Sequence, residues 1–345
     1  VTKEQLHRLV AESTGNESNI CQICAMKNGE LVYSDCWHGF QPEDSVHLMS
    51  VTKGVMALLT GVAIDKGFIR NEEQKVLEFF PNYTVKRGEK TIHNVTLRHL
   101  LTMTAPYKYH SEPWKKVCTS PDWTIAALDL LGGRGGITGE FKYASLGIQI
   151  LAGIIENASG MKCLELANKY LFGPAGIAEV VSHGDSSKED QFEYLMSKRP
   201  HKKEWYSDPA GTVTAGWGLC LSAHDLVRLG QVVLEGLLDK KTVGEGHASA
   251  EKKNVCDGRV ISCEWIHKMT TPKLALGERF GYMQYGYLWY KPYQEKEVYA
   301  AIGDGGNVIY VNVDEQICVG VTGTFKPRIF DRVDFIETKV LKVIQ

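Results

Sequence analysis

The chain has no strong charge of either sign. Its 39 basic and 41 acidic side chains leave a formal net charge of −2 over 345 residues, with a pI near 6.6. That balance gives no electrostatic footprint for nucleic acid or an anionic membrane. Long apolar runs are missing too. A membrane-spanning helix needs roughly 18 consecutive apolar residues, and the nearest stretch, Val55 to Ile69, is broken by Asp65, Lys66 and Gly67. The first residues, Val1-Thr-Lys-Glu-Gln, lack the charged start and apolar stretch of a signal peptide.

Cysteine is present without a framework. Nine residues, an odd number, follow no regular spacing, which favours reduced thiols and a cytoplasmic setting, or export if the N-terminus has been trimmed. Cys21 and Cys24 form one CxxC. Residues three apart on a strand point to opposite faces, and no second CxxC completes a zinc site. Several catalytic signatures are absent as well. There is no Gly-x-Ser-x-Gly elbow and no His-Glu-x-x-His, and the eleven histidines show no metal-ligand spacing. Gly132 to Gly136 is glycine-rich but lacks the Gly-Lys-Ser/Thr of a phosphate loop.

What is present is organised. Hydrophobic residues make up 43% of the chain, enough for a real core. Residues 1–14 carry Leu6, Leu9, Val10 and Ser13 at helical spacing. Residues 19–27 and 30–38 form a hairpin around Asn28-Gly29, the strongest short hairpin signal. The run from Leu48 to Ile64 is apolar around most of its circumference and predicts a central buried helix capped at Gly67. Helical patches and polar loops fill 70–275, with a helix after Ser222-Ala223-His224-Asp225 and a polar excursion from Asp239 to Gly258. Strand character returns at 285–290, 298–302, 308–313 and 316–322, followed by a last helix at 331–344. The pattern predicts an α+β fold. An α/β lobe from 1–75 and 275–345, with one antiparallel sheet built from both termini, carries a mostly helical lobe from 76–274, with the active site between them.

Three elements could carry chemistry. Ser50-x-x-Lys53 opens the buried helix, where free N–H groups and the dipole favour developing negative charge, and Lys53 lies one turn on along the same face. Ser-x-x-Lys recurs at Ser159/Lys162 and Ser249/Lys252, so the pattern alone decides little. A capping serine and a lysine snorkelling to solvent fit it equally well. Tyr143-Ala144-Ser145 reads as a helix opening at which a tyrosine can relay a proton, or as a core tyrosine with a capping serine. Gly303-Asp304-Gly305-Gly306-Asn307 precedes a strand and reads as a close-approach segment with an oxyanion-stabilising N–H, or as a simple hairpin turn.

In this order and spacing, the three elements resemble the serine β-lactamase and penicillin-binding protein superfamily, most closely its class C β-lactamase, D-alanyl-D-alanine carboxypeptidase and esterase branch. Thr96 to Thr104, Phe141 to Glu156 and Gly216 to Gly230 are similar to further stretches of that family. The resemblance implies Ser50 as acylated nucleophile, Lys53 as its proton acceptor or electrostatic activator, Tyr143 as companion base and Ser145 as a support for Lys53. It implies an oxyanion hole from the backbone N–H groups of Ser50 and Asn307, substrate contacts at Asp304, Gly305 and Gly306, and no metal or cofactor. Asp304 stands where β-lactamases and peptidases of the family carry Lys or His, which would repel a substrate carboxylate. The expected activity is therefore that of an esterase or amidase on a small acyl substrate. A β-lactamase or D-alanyl-D-alanine carboxypeptidase, taking a lactam or peptide, is the alternative within the family. A catalytically silent ligand-binding or sensor module is the alternative outside enzymology.

Overall fold

The structure, a computed structural model, describes residues 1–184, 187–239, 258–329 and 331–344. The Ser249/Lys252 pair and most of the 239–258 excursion lie outside the described residues. An eight-stranded antiparallel sheet runs in the order Glu30–Cys36, Ile20–Lys27, Ile317–Gly323, Asn307–Asn312, Val298–Gly303, Tyr290–Lys291, Gln284–Tyr285, Leu274–Ala275. Both ends of the chain thus build one β-lactamase/transpeptidase-like sheet, its first and last segments meeting at the 20–27/317–323 pair.

Alternation along the central strands explains why they read as almost unbroken apolar runs. Tyr299, Ala301, Ile309, Val311 and Cys318 face one core, shared with the helix Val51–Asp65 and the helix Ala223–Leu238. Val298, Ala300, Val308, Tyr310, Val319 and Val321 face a second core, shared with the helix Lys3–Ala11 and the C-terminal helical run from Arg332 to Ile344. Helices cover both faces, so neither face needs polar residues. The 223–238 helix, part of the predicted helical insert, packs directly on the sheet strands 307–312 and 317–323.

Most elements form where local chemistry places them. Thr2 caps the first helix by a reciprocal box with Gln5, and Ser222 does the same with Asp225. The first hairpin turns through Asn28 and Gly29, both at positive φ. Tyr310 is buried with its hydroxyl donating to Glu337. The predicted single strand at 285–290 is instead a hairpin. Gln284 and Tyr285 pair with Lys291 and Tyr290, and the Gly286 N–H bonds to the Trp289 carbonyl. Gly286, in the turn, lies so close to the Met269 carbonyl oxygen that a Cβ would sit 2.2 Å from it.

Candidate active site

Val51 to Ala63 are all buried, so the 51–65 helix crosses the interior and presents only its N-terminus to a cleft. Ser50 stands at that N-terminus with helical φ and ψ of −73° and −6°, and its side chain makes no capping hydrogen bond. Its Oγ instead accepts from Lys53 Nζ at 2.7 Å. Lys53 does not snorkel. It is 2% exposed, donates also to the Gly216 carbonyl at 2.7 Å, and lies 4.9 Å from the centre of the Tyr143 ring. The structural alternatives that the sequence leaves open at this pair are therefore not the ones adopted. Met49, just before Ser50, has φ of 51°, a left-handed conformation costly for a residue with a side chain.

Two segments given no site role in the sequence analysis build the cradle. Gly216 packs against Ser145 so tightly that a Cβ would lie 2.5 Å from the Ser145 carbonyl oxygen. Ser145 thus borders the peptide that holds Lys53, and the second hydrogen-bond partner of the ammonium is that peptide's carbonyl. Two residues on, the Gly218 N–H donates to Nε2 of the buried His47 at 2.8 Å, tying this segment to the strand that leads into Ser50. The second unforeseen residue is Glu112. Its carboxylate accepts from the Leu146 N–H at 2.6 Å and anchors the 143–146 stretch from below. Burial pushes the Glu112 carboxyl up, opposed by that N–H and by the charges of Lys53 and Lys142. Nothing in the local pattern around Glu112 marks it, because its partner is a backbone group 34 residues away.

Tyr143 is half-buried and lies in irregular chain, the helix beginning only at Gln149. The predicted helix start shifts because this stretch is held from outside. The Lys142 N–H donates to the Met103 carbonyl at 2.7 Å and the Ala144 N–H to the Met103 sulfur at 3.4 Å. The glycine-rich segment divides in two. Gly303 faces Ser50 closely enough that a Cβ would lie 2.9 Å from the Ser50 nitrogen. Asp304 is exposed beside Ser50, whereas Gly305, Gly306 and Asn307 are buried and line neither cavity that meets the serine. Gly305 and Gly306 have φ of 78° and 74° and curl the chain away from the cleft. The Asn307 side chain staples the turn, bonding to the carbonyls of Asp304 and Gly323 and to the Gly323 N–H. Asn19 holds it from beneath through the Gly305 and Thr324 carbonyls, and Arg332 in turn holds Asn19.

A family profile described as Beta-lactamase matches residues 21–335 of this chain. The chain belongs to the beta-lactamase family. Among curated proteins it is 26% identical over 246 residues to 6-aminohexanoate-dimer hydrolase of Paenarthrobacter ureafaciens, covering 67% of this chain and 52% of that one, so it spans about half the length of that relative. Among solved structures it is similar to the octameric penicillin-binding protein homologue of Pyrococcus abyssi, with a TM-score of 0.70 and 22% identity over 99% of this chain and 77% of that one. It is also similar to a D-stereospecific amidohydrolase from a Streptomyces species, with a TM-score of 0.65 and 13% identity over 99% of each chain. Identities this low establish the shared fold.

Within this beta-lactamase-family fold, Ser50 stands where two cavities meet. The smaller, about 260 Å³, is walled by Trp114, Leu195, Met196, Trp217 and Phe325. The larger, about 450 Å³, is lined by Tyr143, Arg279, Tyr290, Asp304, Asp331 and Asp334 among others. Ser50, Ser145 and Asp304 belong to both. Arg279, beside Phe280 in a short helical turn, brings a cation into the larger cavity. Among the described residues no group of three or more His, Cys, Asp or Glu could hold a metal, and no helix is long and apolar enough to cross a membrane.

Proposed function

We propose that this beta-lactamase-family protein is a serine hydrolase that cleaves small esters or amides through an acyl-enzyme on Ser50. The observation that carries this reading is the 2.7 Å contact between Lys53 Nζ and Ser50 Oγ, made by a lysine buried at a helix start and held by the Gly216 carbonyl. Burying a lysine away from water is expensive, even where a carboxylate such as Glu112 feels its charge. A lysine that contacts a serine hydroxyl in such a place fits an activated nucleophile better than a structural contact.

In acylation the Ser50 Oγ–carbon bond forms as its proton passes to the Lys53/Tyr143 pair. The carbon–leaving-group bond breaks, and Tyr143, which lines the larger cavity, returns the proton to the departing oxygen or nitrogen. Water then attacks the acyl carbon, the bond to Oγ breaks, and the proton returns to Ser50. The developing oxyanion lies at the Ser50 N–H, aided by the helix start. The second donor we assign is the Asp304 N–H rather than that of Asn307, because Gly303 and Asp304 border Ser50 while Asn307 is buried opposite Gly303 in the hairpin.

The test is the intact mass of the protein after treatment with a fluorophosphonate or a p-nitrophenyl ester. Wild type gains one adduct and Ser50→Ala gains none; labelling that survives in the variant removes Ser50 as nucleophile. Arg279 supports a second reading, a β-lactamase or D-alanyl-D-alanine carboxypeptidase, since its guanidinium can meet a substrate carboxylate. Three carboxylates share that cavity with it, which favours the ester or amide reading. Rapid, saturable turnover of a chromogenic cephalosporin would reverse the ranking.

A further inference from the structure

We propose that the acyl half of the substrate is apolar and extended, seated in the small chamber beside Ser50 and continuing into an outer groove beyond it. This rests on Ser50 being the acylated serine. The direction follows from Tyr143, which lines the larger cavity and not the smaller one. A leaving group must lie where Tyr143 can protonate it, so it departs into the larger, charged cavity. The acyl substituent on the same carbon is left with the smaller chamber.

The chamber's chemistry is one-sided. Beside Ser50, Ser145 and the Gly216 peptide it offers Met49, Trp114, Leu195, Met196, Trp217 and Phe325, and among the described residues Asp304 at its shared edge is its only charged one. Its volume of about 260 Å³ exceeds the roughly 150 Å³ that suffices for benzene in an apolar cavity. Trp217 is fixed by stacking on Trp123 and packing on Tyr206, so this wall is preformed.

The chamber does not end there. Trp114, Leu195 and Trp217 are also walls of a groove of about 1000 Å³ that adds Cys118 and Phe192. Gln191 ties the two sides of that groove through the Cys118 carbonyl. Trp114, Met196 and Phe192 are 42%, 43% and 68% exposed, a run of apolar surface leading outward from the nucleophile. The charged groups that line the groove, Lys115, Lys188, Glu189 and Glu193, are balanced in sign, so neither a cationic nor an anionic acyl chain is favoured. A medium-length alkyl or aryl-alkyl acid is the group whose shape and polarity match both spaces.

The experiment is kcat/KM for p-nitrophenyl acetate, butyrate and octanoate, a series with one leaving group and a lengthening acyl chain. Each buried methylene is worth up to about fourfold, and the expected rise from acetate to octanoate is at least tenfold. Met196→Trp, which fills the chamber, brings the octanoate-to-acetate ratio close to one. Phe192→Asp, at an exposed position where folding is not at stake, lowers the ratio at least threefold. A flat or falling series in wild type, or an unchanged ratio in Phe192→Asp, overturns the proposal while acetate still acylates Ser50. Failure of every ester to acylate Ser50 overturns the hydrolase reading beneath it.

Discussion

At the scale of single residues the site depends on groups that are buried before they are reactive. Lys53 donates to a serine hydroxyl and a peptide carbonyl and lies against an aromatic face, and its charge acts on the Glu112 carboxyl. Replacing it with methionine keeps the length and apolar packing of the side chain and removes its hydrogen bonds. Ester turnover is expected to fall by about 10²–10⁴-fold, measured as kcat on p-nitrophenyl acetate, and full activity in Lys53→Met would end the activation scheme. His47 acts on stability. Burial, with His201 opposing its charge, pulls its imidazole down from 6.5 to about 3. The folded value lies below the unfolded one, so the stabilisation is complete above pH 6.5 and is lost as pH falls toward 3. Between pH 7 and pH 5 this residue alone removes on the order of 2 kcal/mol. Urea unfolding at the two pH values measures it, and His47→Gln should flatten the difference. Ser50, Lys53 and Tyr143 were legible as candidates because their spacing is local. Glu112 and the Gly216 carbonyl were not, because a backbone acceptor or a carboxylate contact across 34 residues leaves no periodic mark.

Among the elements, the decisive contact is between the 298–303 strand and the start of the 51–65 helix. Gly303 meets the Leu48 carbonyl oxygen and the Ser50 amide, where a Cβ would lie 2.5 and 2.9 Å away. Gly303→Ala should cost about 1–3 kcal/mol by overpacking and reduce ester turnover far more than that loss of stability explains, since it displaces the Ser50 N–H. Thermal unfolding and kcat measured on the same sample separate the two effects. A variant of wild-type activity would show that the strand end does not set the oxyanion site. The sequence pattern located the helix and the glycine segment but not that only its Gly303–Asp304 half borders Ser50. Five residues from Gly303 to Asn307 read as one motif. Only the positive φ angles at Gly305 and Gly306, a property of the folded turn, separate the pair that faces Ser50 from the three that fold beneath it.

For the whole molecule, composition and alternation were enough to predict one antiparallel sheet built from both ends of the chain, with the 51–65 helix buried at its centre. The strands at 298–303, 307–312 and 317–323 fall within a residue or two of their apolar runs. The 284–291 hairpin was hidden because its turn, Gly286-Tyr287-Leu288-Trp289, is aromatic and apolar apart from the glycine, so no polar break announces the reversal. The packing of the 223–238 helix against the sheet was equally hidden, since an amphipathic stripe says that a helix is buried without saying against what. The termini are joined in the folded state by Arg332, which is 2% exposed and bonds to the Asn16 carbonyl and the Asn19 side chain. Through Asn19 that link reaches the Asp304–Gly306 turn, so the closing of the chain and the shape of the cleft are parts of one network.

Met49 carries a consequence of its own. A left-handed side-chain residue costs about 1–2 kcal/mol and persists only while the surrounding packing over-determines it. Any loosening of that packing lets Met49 relax toward negative φ and turns Ser50 away from Lys53 while the sheet is still intact. Catalytic competence should therefore be the first property surrendered under mild denaturation. In a urea titration, esterase activity is expected to vanish at a lower concentration than the far-ultraviolet circular dichroism signal. Coincident loss of the two would mean that the serine is held as firmly as the core itself.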